Sequence, residues 1–178
     1  YGGLLIYSEQ VILENNHIIN APVKISNCKS AHINSNHILH NYYSLAVESS
    51  ETVNIQQNKI EGSVRESVNI GHSSTITFNG NTLSGSWGDG FSVYSSHNID
   101  FEDNHLAGTG DIFTGVQLGG QGARAANNTI SDFRTGLMIN SRGQNVGGNR
   151  VVNCTTGIQI TWDQSVINGN HIAYCSTG

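Results

Sequence analysis

Three stretches of eight residues decide the fold: VNIQQNKI at 53–60, ITFNGNTL at 76–83 and IDFEDNHL at 99–106. They follow one another at a constant interval, and each carries two apolar residues around one polar residue, then an Asn in sixth place and an apolar residue in eighth. Apolar residues at every second position are typical of a strand with one buried face. Each stretch therefore predicts a strand, a bend at the Asn and the start of a second strand.

The same pattern extends over the whole chain at a nearly constant spacing. Its eight Asn residues are Asn16, Asn36, Asn58, Asn81, Asn104, Asn128, Asn149 and Asn170. About twelve residues before most of them stands a further apolar pair, such as Val68 and Ile70, which indicates a third strand. We expect each Asn to adopt the left-handed backbone conformation at its bend, and the stacked side chains to form an amide ladder.

Three short strands per turn, stacked about eight times, predict an all-β, single-stranded parallel β-helix with coils of roughly 20–24 residues. One coil cannot bury its apolar face alone, whereas stacked coils share a continuous core. We interpret residues 1–178 as one β-helix domain and as a piece of a longer chain, because the sequence begins and ends within repeats. The end coils would then need flanking capping domains or an oligomeric partner, such as a homotrimer, to cover their open strand edges.

The composition excludes two classes of partner. Charged residues make up 12% of the chain and the formal net charge is −5, whereas nucleic-acid binding relies on clustered Lys and Arg. A membrane-spanning helix needs about 18 or more consecutive apolar residues. No apolar run in the chain approaches that length. We expect a protein that binds neither nucleic acid nor membrane.

Coils of about 22 residues with an Asn-x-Ile/Leu/Val bend resemble the right-handed parallel β-helices of the pectate-lyase-like superfamily. The resemblance covers essentially the whole chain. It implies a carbohydrate-active protein, since the superfamily includes polysaccharide lyases, glycoside hydrolases, epimerases and phage tailspikes. The paired Asp motifs followed by Gly-His-Gly and Arg-x-Lys of polygalacturonases are absent, and Gly71–His72 is only a fragment of them. The clustered Asp residues of calcium-dependent pectate lyases are not evident either.

The resemblance places the substrate across the first sheet, the one formed by the strand that precedes each Asn by about twelve positions. The loops that lead into this sheet are longest at 61–67, 84–90 and 107–115. Glu66 and Asp89 lie in the first two, each two residues before its first-sheet apolar residue, so they occupy equivalent places on neighbouring coils. Two close carboxylates separate their pKa values and supply an acid with a base or nucleophile. They are also compatible with two solvated turn residues.

We therefore predict catalytic roles for Glu66, Asp89 and Asp111. The predicted substrate-binding residues are polar or aromatic and lie on or beside the first sheet: Arg65, Asn69, His72, Trp87, Ser92, Tyr94, Gln117 and Trp162. Arg65, Trp87, Tyr94 and Asp111 are expected to wall the groove that holds the carboxylates. No metal or other cofactor is predicted, since His17 and His37 on adjacent coils suit solvated strand positions better than a metal site. Cys154 and Cys175 stack, either as a disulfide or as unpaired thiols.

The leading functional hypothesis is a β-helix that binds a polysaccharide or oligosaccharide along its first sheet and cleaves it. Hydrolysis of the glycosidic bond by paired carboxylates is favoured over β-elimination. The alternative is a non-catalytic polysaccharide-binding or structural module, such as a tailspike shaft or adhesin. Either function implies a secreted protein or one on a cell or virion surface.

Overall fold

The solenoid described here comes from a computed structural model that covers residues 3–178, with Asp111 and Ile112 described by their backbone only. Within this range the chain forms 21 β-strands and no helix, and every pairing between named strands is parallel. The strands wind into eight coils with three faces. The predicted fold class, an all-β parallel solenoid, is confirmed.

Each face of the solenoid is one stack of parallel strands. The first sheet contains β1 (Leu4–Tyr7), β4 (Val23–Ser26), β7 (Leu45–Glu48), β10 (Val68–Gly71), β19 (Thr156–Ile160) and parts of β13 (Phe91–Glu102), β14 (His105–Gln121) and β16 (Thr129–Ile139). The second contains β2 (Gln10–Glu14), β5 (Ser30–Asn34), β8 (Thr52–Gln56), β11 (Ser74–Asn79), β15 (Arg124–Ala126), β17 (Asn145–Gly147), β20 (Val166–Asn168) and the rest of β13. The third contains β3 (His17–Ile19), β6 (His37–Leu39), β9 (Lys59–Glu61), β12 (Thr82–Ser86), β18 (Arg150–Val152), β21 (His171–Ala173) and the first parts of β14 and β16.

Three strands are longer than the repeat predicts, because β13, β14 and β16 continue through a corner instead of ending there. The segment 107–115, expected to be a loop, lies within β14 and meets β16 with two shifts of register. β13 begins two residues after Asp89, so the irregular coils include one that carries the candidate site.

The core is a column of inward-facing apolar side chains. Its largest members are aromatic, with Phe78, Phe91 and Phe101 completely buried. Their ring centroids lie 4.5 to 5.3 Å apart. Phe91 begins a first-sheet strand, so this cluster supports the sheet from beneath at the coils that carry Glu66 and Asp89.

The repeated Asn residues form the predicted ladder. The Oδ1 of Asn81, for example, accepts the backbone N–H and the side-chain amide of Asn58 at 2.9 and 3.0 Å. The Nδ2 of Asn81 donates to the carbonyl of Ile55 at 2.9 Å, and its backbone N–H continues the chain of bonds to Asn104. The side chains of Asn36, Asn58, Asn81, Asn104, Asn128 and Asn149 are all buried. Each therefore satisfies backbone groups that would otherwise be buried without partners.

The expectation that these Asn residues adopt the left-handed conformation is wrong. In every coil the positive φ belongs to the residue immediately before the ladder Asn: Asn15, Ser35, Gln57, Gly80, Asp103, Asn127, Gly148 and Gly169. The Asn itself is selected by its amide, which accepts and donates along the column, and the bend is made by its neighbour. Two further columns of positive-φ residues mark the other corners, as at His72 and Ser95 after the first sheet and at His40 and Gly62 after the third.

A second ladder, made of serines, lies at the corner between the first and second sheets. The backbone N–H of Ser50 donates to the Oγ of Ser73, and that of Ser73 donates to the Oγ of Ser96, both at 3.1 Å. Each of these hydroxyls donates in turn to the carbonyl two residues earlier, so Ser73 holds Gly71 and Ser96 holds Tyr94. The ladder thus fixes the exit edge of the first sheet.

Replacing Ser73 by Ala is expected to lower the free energy of unfolding by about 1 kcal/mol, because one buried N–H and one carbonyl each lose a partner. Denaturant unfolding followed by circular dichroism measures the change. Ser131→Ala, which removes a half-exposed hydroxyl from β16, serves as the control and should leave the midpoint within experimental error. Equal midpoints for the two variants would show that the serine column contributes nothing to stability.

The described residues contain no helix that is long and apolar enough to cross a membrane.

Candidate functional site

A cleft of about 360 Å³ lies at the edge where the chain enters the first sheet, and it contains both predicted carboxylates. Its lining consists of Tyr42, Val64, Arg65, Glu66, Gly88, Asp89 and Phe113. Glu66 and Asp89 occupy equivalent places because Val68 and Phe91, two residues after each, are paired in register. The backbone N–H of Ser67 donates to the carbonyl of Asp89 at 3.0 Å, which ties the two coils together at this point.

The loop that carries Asp89 is packed tightly against the one that carries Glu66. A Cβ on Gly88 would lie 2.5 Å from the carbonyl carbon of Arg65, so only glycine fits there. The hydroxyl of Ser86 lies 3.0 Å from the carbonyl oxygen of Arg65, to which it donates, and accepts the N–H of Gly88 at 3.2 Å. The relative position of the two backbone segments that carry Glu66 and Asp89 is thus set by close contacts between the loops.

The two carboxylates have different environments. Burial raises the pKa of Asp89 above its ordinary value of 3.8, and the negative charge of Glu66 raises it further, while the backbone N–H of Thr114 opposes the rise. That N–H donates to the Oδ1 of Asp89 at 2.8 Å. The Oε2 of Glu66 is buried and has no hydrogen-bond partner among the described residues. The cleft therefore combines a carboxyl group whose pKa is raised with a buried Glu66 oxygen that has no hydrogen-bond partner among the described residues.

Aromatic and basic side chains surround these carboxylates. The guanidinium of Arg65 lies 5.4 Å from the ring centroid of Tyr42, within the range of a cation–π contact. Phe113 is 39% exposed on the coil after Asp89. Of the residues expected to wall this groove, Arg65 does so. Trp87 is 69% exposed and does not line the cleft, Tyr94 lies at the opposite edge of the sheet, and the side chain of Asp111 lies outside the described residues.

A second cluster occupies the edge where the chain leaves the first sheet. The hydroxyl of Tyr94 donates to one carboxylate oxygen of Glu48, and the Nδ1 of His72 lies 3.3 Å from the other. The rings of His72 and Tyr94 meet edge to face with their centroids 5.3 Å apart. Glu48 thereby joins two predicted binding residues from different coils.

The contact between Tyr94 and Glu48 spans two coils and depends on the glycine between them. Glu48, Gly71 and Tyr94 are equivalent residues on three successive strands. A Cβ on Gly71 would lie 2.3 Å from the Cζ of Tyr94 and 2.7 Å from a carboxylate oxygen of Glu48. The missing side chain lets the Tyr94 ring lie flat across the strand. The sequence reasoning missed Glu48 as a site residue, although its regular spacing from Gly71 and Tyr94 is a signal that could have found it.

The hydrogen bond to Glu48, together with burial, raises the pKa of the Tyr94 phenol from 10.0 to about 12. Because this folded-state pKa is the higher one, the phenol contributes stability below about pH 10 and loses the contribution as the pH rises towards 12. Replacing Glu48 by Gln is expected to return the phenol towards its ordinary pKa, measured by NMR titration of the Tyr94 ring carbon. The Tyr94→Phe variant identifies which NMR signal belongs to Tyr94. A phenol pKa that stays at about 12 in the Glu48→Gln variant would show that Glu48 is not the cause of the raised pKa.

A polar row connects the two edges. Asn69, Ser92 and Gln117 pair in register in the middle of three successive first-sheet strands, and all three are half-buried on the outer face. Asn69 and Glu48 also line a neighbouring cleft of about 410 Å³ together with Lys24 and Tyr43. The first sheet therefore presents hydrogen-bonding groups between two clusters of ionisable side chains.

The remaining sequence-based candidates lie elsewhere. Trp162 belongs to a separate cleft near the last coil. His17 and His37 stack with their centroids 4.9 Å apart. Among residues 3–178 with described side chains, no group of three or more His, Cys, Asp or Glu is placed to hold a metal ion. The three cysteines are unbridged, which decides the alternative left open for Cys154 and Cys175.

Eight in-register coils with three sheets and an Asn ladder define a parallel β-solenoid. The chain matches the family model for a right-handed β-helix region over residues 1–83 and 66–178, and it belongs to that family. No curated protein matches the chain. The right-handed β-helix is thus established as the fold.

Proposed function

We propose that the protein is a carbohydrate-active β-helix that binds a polysaccharide on its first sheet and hydrolyses its glycosidic bonds in the cleft of Glu66 and Asp89. The observation that carries the proposal is the pairing of these two carboxylates in one cleft, one with a raised pKa and the other with a buried, unpartnered oxygen. This difference between two neighbouring carboxyl groups is the arrangement that glycoside hydrolysis requires. The proposal includes membership of the pectate-lyase-like superfamily and a secreted or surface location.

In the proposed reaction Asp89 is the acid. It gives its proton to the glycosidic oxygen as the bond from that oxygen to the anomeric carbon breaks. Glu66 takes a proton from a water molecule as the water oxygen bonds to the anomeric carbon, so each product ends with a hydroxyl group. If the carboxylates lie close enough, Glu66 instead bonds to the anomeric carbon first and water releases the sugar in a second step.

Several contacts support sugar binding around this centre. Tyr42 and Phe113 offer ring faces at the two ends of the cleft, and Arg65 supplies planar donors beside Tyr42. The polar row of Asn69, Ser92 and Gln117 offers amide and hydroxyl groups that match sugar hydroxyls. His72 and Tyr94, both bonded to Glu48, hold the far edge of the same sheet.

The test is a screen against neutral and acidic polysaccharides from plants, algae and bacteria. New reducing ends without an unsaturated product would support hydrolysis, and NMR of the first product would distinguish the one-step from the two-step reaction by its anomeric configuration. An unsaturated product would contradict hydrolysis and show that the reaction is β-elimination. Saturable binding of a polysaccharide without any product would contradict catalysis and support the non-catalytic binding module.

A further inference from the structure

Two adjoining clefts lie at the corner where the chain turns from the first to the second sheet. One, of about 720 Å³, is lined by residues of two coils that include Ser95, His97 and Asn98. The other, of about 330 Å³, is lined by residues of the next coils that include Arg142 and Trp162. Gln121 lines both, so they form one trough parallel to the solenoid axis. With neighbouring coils about 4.8 Å apart, the trough extends over roughly 14 Å.

The trough begins where the Glu48 cluster ends. His72 and Ser95 both follow directly on the paired residues Gly71 and Tyr94, and both have positive φ, so they occupy equivalent corner positions. A ligand that lies along the corner can therefore pass from the edge of the first sheet into the trough. The trough is separate from the cleft of Glu66 and Asp89, which lies at the opposite edge of that sheet.

The far end of the trough combines an aromatic face with a cation. Trp162 is 51% exposed, and the guanidinium of Arg142 lies 5.6 Å from its ring centroid. Arg142 forms no ion pair with any described carboxylate, whereas Arg124 pairs with Asp100 and Glu102. Since the stacked guanidinium is planar and still has unused donors, it suits bidentate contact with an anionic group.

Amide groups surround this pair. Gln121 and Asn140 line the same cleft, and both side chains carry amide donors and acceptors. Amide donors and acceptors match sugar hydroxyls, an indole face matches the apolar side of a sugar ring, and the guanidinium matches a carboxylate or sulfate. Their combination selects an acidic sugar over a neutral one.

We infer that this trough is a second, non-catalytic binding track for an acidic polysaccharide, which lies along the solenoid axis with a sugar ring against the exposed part of the Trp162 indole and its anionic group on Arg142. The inference extends the proposed function, because the polymer held here is the one that the Glu66–Asp89 cleft acts on. Its test is independent of cleavage. The net charge of −5 disfavours unspecific attraction of acidic polymers, so their binding would depend on local contacts of this kind.

The experiment uses the two tryptophans of the chain. Replacing exposed Trp87 by Phe leaves Trp162 as the only indole, so its fluorescence reports on the trough. Three polymers serve as probes. Polygalacturonate carries carboxylates, chondroitin sulfate carries both carboxylates and sulfates, and dextran is uncharged. We expect a saturable change with at least one acidic polymer and none with dextran. A preference between the two acidic probes identifies the anionic group.

Two arginine variants decide the role of the cation. Arg142→Gln should weaken binding of the acidic polymer at least tenfold. Arg150→Gln, which removes an equal charge from the one exposed position of β18, should change it less than twofold. Equal effects of the two variants, or no saturable response to either acidic polymer, would overturn the track. The Trp162→Ala variant is tested by affinity electrophoresis in gels that contain the same polymers. The acidic polymer should no longer slow the migration of this variant.

The two proposals fail separately. The double variant Glu66→Gln, Asp89→Asn should retain the fluorescence response even though it is expected to lose turnover. Cleavage without any response at Trp162 would refute the track and leave the hydrolase proposal intact. A response at Trp162 without cleavage of any polysaccharide would refute hydrolysis and leave the track intact.

Discussion

Replacement of Asp89 by Asn is expected to lower the turnover of the polysaccharide by roughly 10²–10⁴-fold, the range typical of a lost general acid or base. The amide keeps the size of the side chain and can still accept the N–H of Thr114, but it cannot give a proton to the glycosidic oxygen. Glu66→Gln should cause a loss of similar size, because the amide neither accepts a proton from water nor bonds to the anomeric carbon. Turnover is measured by the release of reducing ends under substrate saturation.

Glu51→Gln provides the matched control, since Glu51 is an exposed acid of a neighbouring coil and should leave turnover unchanged. Circular dichroism of all variants tests whether the fold is intact. If both amide variants cleave at the wild-type rate, the assignment of the carboxylates is wrong and Asp111 or Asp163 becomes the next candidate. If Glu48→Gln alone abolishes cleavage, the chemistry belongs to the opposite edge of the sheet.

The second large effect concerns stability. Replacing Asn81 by Ala is expected to lower the free energy of unfolding by about 3 kcal/mol, because it removes the acceptor of the buried N–H of Asn58 and the donor to the carbonyl of Ile55. Methyl cannot replace either bond, and water has no access to a side chain that is 1% exposed. Denaturant unfolding followed by circular dichroism measures the change.

Asn145→Ala is the control for this experiment, because Asn145 is an exposed strand residue whose side chain forms no hydrogen bond with the described residues. A loss confined to Asn81→Ala would show that the buried column, and not asparagine content in general, stabilises the stack. A loss below about 0.5 kcal/mol would contradict the ladder as a source of stability, since ordinary surface substitutions stay within that limit.

The stacking of the coils could be predicted because, in this fold, the position of a residue within its repeat determines where it lies in the stack. Once Asn58 and Asn81 share a column, residues at the same distance after them do so too, as the pairing of Val68 with Phe91 shows. The placement of Glu66 beside Asp89 follows from the same rule. The backbone conformation at the bend could not be predicted from the sequence. Asn is favoured both in an amide ladder and at a left-handed position, and only the backbone dihedral angles distinguish these two roles.

Contacts between side chains on different coils were harder to predict. Tyr94 reaches Glu48 only because Gly71 has no side chain, and such a contact depends on three residues at once. Trp87 is largely exposed, so its place in a loop beside Asp89 did not decide which way the ring points. Arg142 carries no repeat signal, and its position over Trp162 becomes visible only in three dimensions.

The three columns of left-handed corner residues have a consequence for how this protein can change over evolutionary time. Each corner is closed by its own backbone conformation, so a length change between two corners need not disturb the hydrogen bonds of the stack. The segment between the third and first sheets, which contains Glu66 and Asp89, can therefore change in length more readily than the ladders can. Descendants of such a chain can acquire new surface properties by altering a few exposed segments while inheriting the scaffold unchanged.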